Sequence, residues 1–168
     1  MSADKLAARA FDIFAPKIEQ SVTDWAEANV FLSERITEQA GLYRTSSHPY
    51  VREVLESFRD PKVRKVSLCW GSQTGKTTTI YVGVGWTIDQ DPTPILWVWS
   101  NEKQARAFSN DRFLPFCEDS ETLARHLPKT SEGKIDRDRA TALRVEFDRC
   151  SLNMVGGGSQ RNVRNFPV

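Results

Sequence analysis

The run Gly71-Ser72-Gln73-Thr74-Gly75-Lys76-Thr77 brings two glycines, a lysine and several hydroxyls together in a short stretch. These residue types suit one chemistry, the holding of a polyphosphate. Where glycine removes the Cβ, successive backbone N–H groups can curl about an anion, and a helix starting there adds the positive end of its dipole. In such a site the backbone of Ser72, Gln73, Thr74, Gly75, Lys76, Thr77 and Thr78 forms the cradle, with Gly75 permitting the turn. Lys76 neutralises the β and γ phosphates and the Thr77 hydroxyl ligates Mg2+. The usual motif has four residues between its first glycine and Gly-Lys-Thr. Here three residues follow Gly71, and Trp70 occupies the standard glycine position.

A phosphate cradle must follow a strand and open a helix. Upstream, Val66, Leu68 and Trp70 alternate with Lys65, Ser67 and Cys69, which predicts a strand over 63–70. Downstream, the pattern predicts a helix over 76–89. Asp91-Pro92-Thr93-Pro94 reads as a turn. The continuous apolar run Ile95–Trp99 predicts a strand buried on both faces. Helices are expected over 101–116 and 121–127, then a polar loop over 128–139. Leu143, Val145 and Phe147 alternate, as do Leu152 and Met154, so a hairpin turning tightly at Asp148-Arg149 is expected, before a break at Gly156-Gly157-Gly158.

Before the strand, Leu6, Ala10, Phe11 and Phe14 predict a helix over 4–15. Ser21, with Asp24 in the first turn, predicts the cap of a second helix carrying Trp25, Ala28, Val30 and Leu32. Gly41–His48 reads as a polar connector. Pro49 opens a third helix with Val51, Val54, Leu55 and Phe58, which Pro61 ends. Alternating strands and helices after residue 61 predict a parallel sheet covered by helices.

Composition bounds the rest. With 168 residues, 39% of them hydrophobic and 27% charged, the chain has the size and make-up of one globular domain. A net charge of +1 selects neither for nor against a nucleic-acid partner. Arg137, Arg139, Arg144, Arg149, Arg161 and Arg164 interleave with acids and read as a solvated face. Cys69, Cys117 and Cys150 are too scattered for a zinc site or a disulfide framework and fit a reducing cytoplasm. Neither a secretory signal nor a membrane-length apolar run is present; Ile80–Ile88 is too short and holds Gly83 and Gly85. His48 and His126 read as cap or surface residues. Trp70, Trp86, Trp97 and Trp99 read as core packing rather than base-stacking platforms.

As a whole, the chain resembles the ATPase region of the large terminase subunit of tailed phages, in its lambda-like branch. The resemblance runs through Val22-Thr23-Asp24-Trp25-Ala26-Glu27-Ala28-Asn29, then Gly41-Leu42-Tyr43-Arg44-Thr45 with Pro49-Tyr50, then the shortened loop Ser72–Thr77. It continues in Ile95-Leu96-Trp97-Val98-Trp99-Ser100, Ala107-Phe108-Ser109, Leu114-Pro115-Phe116 and Leu152-Asn153-Met154-Val155-Gly156-Gly157-Gly158-Ser159. It implies an α/β P-loop NTPase fold of the RecA/ASCE type, a three-layer core with a parallel sheet. Residues 1–60 would be a helical segment leading into the core, and 61–168 the N-terminal part of the ATPase domain. It further implies ATP and Mg2+ as cofactors and a motor that packages viral DNA into the procapsid. The implied partners are double-stranded DNA, a small terminase subunit and the portal or procapsid, with homo-oligomers and no membrane. The implied location is the bacterial host cytoplasm, from a phage or a prophage.

The chain departs from the family pattern in places. Relatives often carry a glutamine after Pro-Tyr to read adenine; here Val51-Arg52 follows, and Tyr50 is left either to stack on the adenine or to pack in the core. The position of the loop arginine found in some terminases holds Ser72. No apolar run ending in Asp-Glu, the Walker B element, follows the loop, and no nuclease domain is present. The sequence therefore reads as truncated, with no assignable catalytic acid and with weak or no nucleotide binding and poor hydrolysis expected. Two other readings stand beside this one: another helicase-like P-loop ATPase, or a degenerate interaction module that no longer turns over ATP.

Overall fold

The computed structural model describes residues 20–38 and 40–158. The helix expected over 4–15 lies outside these residues, as do Arg161 and Arg164. Helix α1, Val22–Asn29, is capped as the sequence predicts: the Ser21 hydroxyl accepts the Asp24 N–H at 2.9 Å. It ends earlier than the apolar spacing suggests. Val30 turns extended, and Phe31–Leu32 (β1) pairs antiparallel with Gly41–Leu42 (β2), inside the stretch expected to be a connector. Tertiary bonds decide this outcome. Tyr43 N–H donates to Val30 O at 2.9 Å, and Phe31 N–H donates to the Ser120 hydroxyl at 3.1 Å. A 3₁₀ turn, Thr45–Ser47, leads into α2, Val51–Glu56, which buries Val51 and Leu55.

The helix after the glycine loop, α3, runs Lys76–Gln90, and strand β3 spans Ile95–Trp99. Next comes a continuous helical stretch built as α4 (Glu102–Phe108), a wide π turn (Ser109–Phe113) and α5 (Leu114–Asp119). Asn101 caps α4 by accepting the Gln104 N–H at 2.9 Å. The π turn falls just before Pro115. Proline has no N–H to give to the helix, and its ring would crowd the carbonyl one turn back, so a locally widened turn accommodates it. Helix α6, Glu121–Ala124, is shorter than the expected 121–127. Strands β4 (Arg144–Glu146) and β5 (Ser151–Gly156) follow.

The sheet has the order β3-β5-β4. β3 and β5 are parallel, from Ile95↔Leu152 to Trp99↔Gly156, whereas β4 and β5 form an antiparallel hairpin with Val145 opposite Leu152. The architecture is thus mixed α/β, with a small sheet that holds the expected parallel pair beside the expected hairpin. Two strand expectations change. Residues 63–70 form no ladder among the described residues, and Val63 and Val66 are 40% and 47% exposed. Alternation supplies a face but not a partner, and a strand needs both. β3 lies at an end of the sheet and is not buried on both faces: Val98 is 49% exposed, while Trp97 and Trp99 stack on one another and pack against Phe108.

The expected hairpin forms, but around a wider loop. Its closing pair is Glu146↔Ser151, so Phe147 to Cys150 make the turn. Phe147 is drawn into the core, and Arg149 Nη2 donates to Asp89 O at 2.6 Å. At the far end of β5, Gly156 lets two segments touch. A Cβ there would stand 2.5 Å from the backbone nitrogen of Glu102, at the start of α4.

One core cluster joins α1 and α2 to α3, α5, α6 and the sheet, with Trp25, Leu55, Tyr81, Ile88, Phe113, Phe116 and Leu152 among its members. A charge sits inside it. Asp89, at the last turn of α3, is 4% exposed. Its carboxylate accepts from Trp25 Nε1 at 2.8 Å, Arg125 Nη2 at 2.7 Å and Gln90 Nε2 at 2.6 Å, and lies 2.8 Å from His126 Nε2. The other ring nitrogen of His126 lies 2.9 Å from the Asp148 carboxylate. His126 is therefore neither a cap nor a surface residue. At 5% exposure it bridges two acids from different elements, neither of which is near it in sequence. Burial alone would raise the Asp89 pKa, but the bonds from His126, Arg125, Gln90 and Trp25 prevail and hold it well below the usual carboxylate range.

Replacing Asp89 by Asn keeps the shape and removes the charge, leaving partners unpaired in the core. The expected cost is about 3 kcal/mol in urea unfolding. The folded carboxyl is the stronger acid, so its stabilising effect is complete above the ordinary value of 3.8 and is lost as pH falls toward the folded-state value. Unfolding midpoints measured across this acid range should fall more steeply in the parent chain than in Asp89→Asn.

Candidate nucleotide-binding loop

The structure leaves Thr74, Gly75, Lys76 and Thr78 half-buried and Ser72, Gln73 and Thr77 exposed, in a loop that curls directly into α3. The curl comes from two left-handed residues. Gln73 has φ 57° and Gly75 has φ 78°. Gly75 is also the first, half-helical residue of α3, where no side chain caps the helix. A residue with a Cβ strains in that conformation, which is the physical reason for glycine immediately before Lys76.

Capping is sparse in a second sense. Thr79 N–H donates to Gly75 O at 2.8 Å, and a hydrogen-bonded turn spans Ser72–Gln73, but among the described residues no acceptor takes the backbone N–H groups of residues 75–78. Helix first-turn donors have no intrahelical partner, and here the preceding loop adds its own. Such a row of unpaired donors at the positive end of a helix dipole favours an anion.

Lys76 folds back over the loop. Its ammonium donates to Trp70 O at 2.9 Å and also to Gly71 O, and the Thr74 hydroxyl donates to Gly71 O at 2.8 Å. Lys76 makes no ion pair with a described acid. Its acceptors are neutral carbonyls, which bind an ammonium less strongly than a charged oxygen does. The Thr77 hydroxyl, one residue on, is exposed and unbonded among the described residues, so it suits a cation that takes its other ligands from phosphate and water. The Thr79 hydroxyl instead donates to Gly75 O at 3.0 Å and is buried. No group of three or more His, Cys, Asp or Glu side chains suited to a metal occurs among the described residues.

Tyr50, distant in sequence, comes to the same place. Its hydroxyl donates to Thr74 O at 3.1 Å, and its ring meets that of Trp70 at 4.9 Å. The predicted loop residues and the predicted base contact thus share one site. Trp70 was expected only to pack. Its carbonyl accepts from Lys76 and its indole braces Tyr50, so it joins the site through both backbone and ring. The signal in the sequence was its position, where the standard motif has glycine. Among the described arginines of the last third, Arg137 pairs with Glu118, and Arg139 and Arg144 pair with Glu146, as expected of a solvated face, whereas Arg149 donates to Asp89 O.

A family model described as phage terminase large subunit gpA, ATPase domain, matches residues 37–168. No curated protein and no solved structure matches. Among the described residues, no helix is long and apolar enough to cross a membrane.

Gly75→Ala tests the loop backbone separately from any ligand. The positive φ should cost about 1–2 kcal/mol in urea unfolding. An unchanged midpoint would show that the loop relaxes to another conformation.

Proposed function

This chain belongs to the phage terminase large subunit gpA ATPase-domain family, and we propose that it is the ATP-binding part of a motor that packages viral DNA into a procapsid. Membership of an ATPase-domain family implies nucleotide binding, and terminase large subunits act on DNA together with other packaging components. The finer assignments are ours. The loop from Ser72 to Thr78 is a P-loop, the mixed α/β fold over 61–168 belongs to a RecA-like core, and residues 1–60 lead into it. The partners are double-stranded DNA, a small terminase subunit, the portal or procapsid and further copies of the chain. The motor works in the host cytoplasm.

The observation that carries the proposal is the convergence of unpaired N–H groups, the start of a fifteen-residue helix and the Lys76 ammonium on one curled loop. A triphosphate there would draw Lys76 from the Trp70 and Gly71 carbonyls, because a charged oxygen is the stronger acceptor. The row of backbone N–H groups would hold the β phosphate, and α3 would add the positive end of its dipole. Thr77 would give its hydroxyl to Mg2+, with phosphate and water oxygens completing the shell. Mg2+ neutralises developing charge on the phosphates when bound. Tyr50 would lie against the adenine.

Calorimetry with ATP and Mg2+ tests the site. Lys76→Ala should weaken binding by about 2 kcal/mol or more, roughly thirtyfold, since a charge-assisted contact is lost. Unchanged affinity would remove the assignment. Thr77→Val should reduce the gain in affinity that Mg2+ brings while leaving metal-free ATP binding nearly as it was.

A further inference from the structure

Tyr50 meets the glycine loop through two parts of its side chain. The ring stands nearly perpendicular to those of Trp70 (4.9 Å, 83°) and His48 (5.7 Å, 87°), and the hydroxyl donates to Thr74 O at 3.1 Å. The ring is the part that suits a base. The hydroxyl is spent on the loop backbone, and among the described residues no other donor reaches Thr74 O.

That carbonyl belongs to the Thr74–Gly75 peptide, which lies between two tethered points. Before it, the Thr74 hydroxyl donates to Gly71 O at 2.8 Å. After it, Gly75 O accepts from the Thr79 N–H at 2.8 Å and from the Thr79 hydroxyl at 3.0 Å. Gly75 has φ 78°, but glycine takes positive and negative φ with nearly equal ease, so residue type alone does not choose the orientation of this peptide. A trans peptide is planar and points its carbonyl and its N–H in opposite directions. With Thr74 O held toward Tyr50, the Gly75 N–H is turned to the other side, and it is one of the unpaired donors of the loop. A flipped peptide would put a carbonyl oxygen where that donor stands, and the oxygen would repel an anion.

The tether comes from a buried element. Tyr50 immediately precedes α2, whose Val51 and Leu55 are buried. The run over 63–70, which enters the loop from its other end, forms no ladder among the described residues. We propose that Tyr50 is a positioning residue of the phosphate loop, whose hydroxyl holds the Thr74–Gly75 peptide in the orientation that presents the Gly75 N–H to a bound polyphosphate. The proposal rests on the phosphate-loop reading above and adds a residue that governs affinity for the phosphates themselves, apart from any base.

The test is calorimetry of the full chain with the Mg2+ complexes of ATP and of inorganic tripolyphosphate, which has no base. Tyr50→Phe keeps the ring and removes the bond to Thr74 O. It should weaken both ligands by the same factor, roughly fivefold, and leave their ratio unchanged. Tyr50→Ala should weaken tripolyphosphate no more than Tyr50→Phe does. The amide proton NMR signal of Gly75 should move when tripolyphosphate is added to the parent chain, and move less in Tyr50→Phe at saturation. Tripolyphosphate binding that is unchanged in Tyr50→Phe, a loss confined to ATP, a larger tripolyphosphate loss in Tyr50→Ala than in Tyr50→Phe, or a Gly75 signal that ignores tripolyphosphate overturns the proposal while leaving the loop assignment intact. Binding of neither ligand by the parent chain, or binding of both that survives Lys76→Ala, overturns the loop assignment and the proposal with it.

Discussion

A carboxylate in a protein core must be fully hydrogen-bonded, because an unpaired buried charge costs more than most other contacts return. Asp89 meets this requirement with donors from α1, from its own helix and from the segment after α6, while its backbone carbonyl holds the hairpin through Arg149. These donors come from three parts of the chain, so the charge is satisfied only when those parts are assembled. The network fixes the C-terminal end of α3. The loop at the other end of the same helix inherits its position, since a helix transmits placement along its length.

That coupling gives the loop a rigid base, while its own turns are set locally. Gln73 and Gly75 take left-handed conformations, and Lys76 closes over the neutral carbonyls of Trp70 and Gly71. Tyr50 adds a brace from outside the helix through its bond to Thr74 O. The site thus draws on three parts of the chain: the segment before α2, the end of the run over 63–70, and the start of α3. Only the last two are neighbours in sequence.

The sequence was legible where structure depends on near neighbours. The Ser21 cap, helix α3, strand β3 and the pairing of β4 with β5 all formed close to where period and capping residues put them. It was less legible where a long-range partner decides. The run over 63–70 has the alternation of a strand but no ladder among the described residues, and Phe31–Leu32 left the helical pattern to pair with Gly41–Leu42. The hairpin loop widened because Phe147 and Arg149 had partners in the core and on α3.

By itself, the sequence determined the chemistry of the loop. Glycine before lysine permits the left-handed residue at the helix start, and the free donors of the first turn follow from helix geometry. Tertiary structure decided what surrounds that chemistry. It made His126 the bridge between Asp89 and Asp148 and carried Tyr50 to Thr74 across 24 positions. It also paired β3 with β5 in parallel. The physical reason is that burial and long-range hydrogen bonding depend on which segments meet, and no local spacing of residues encodes that meeting.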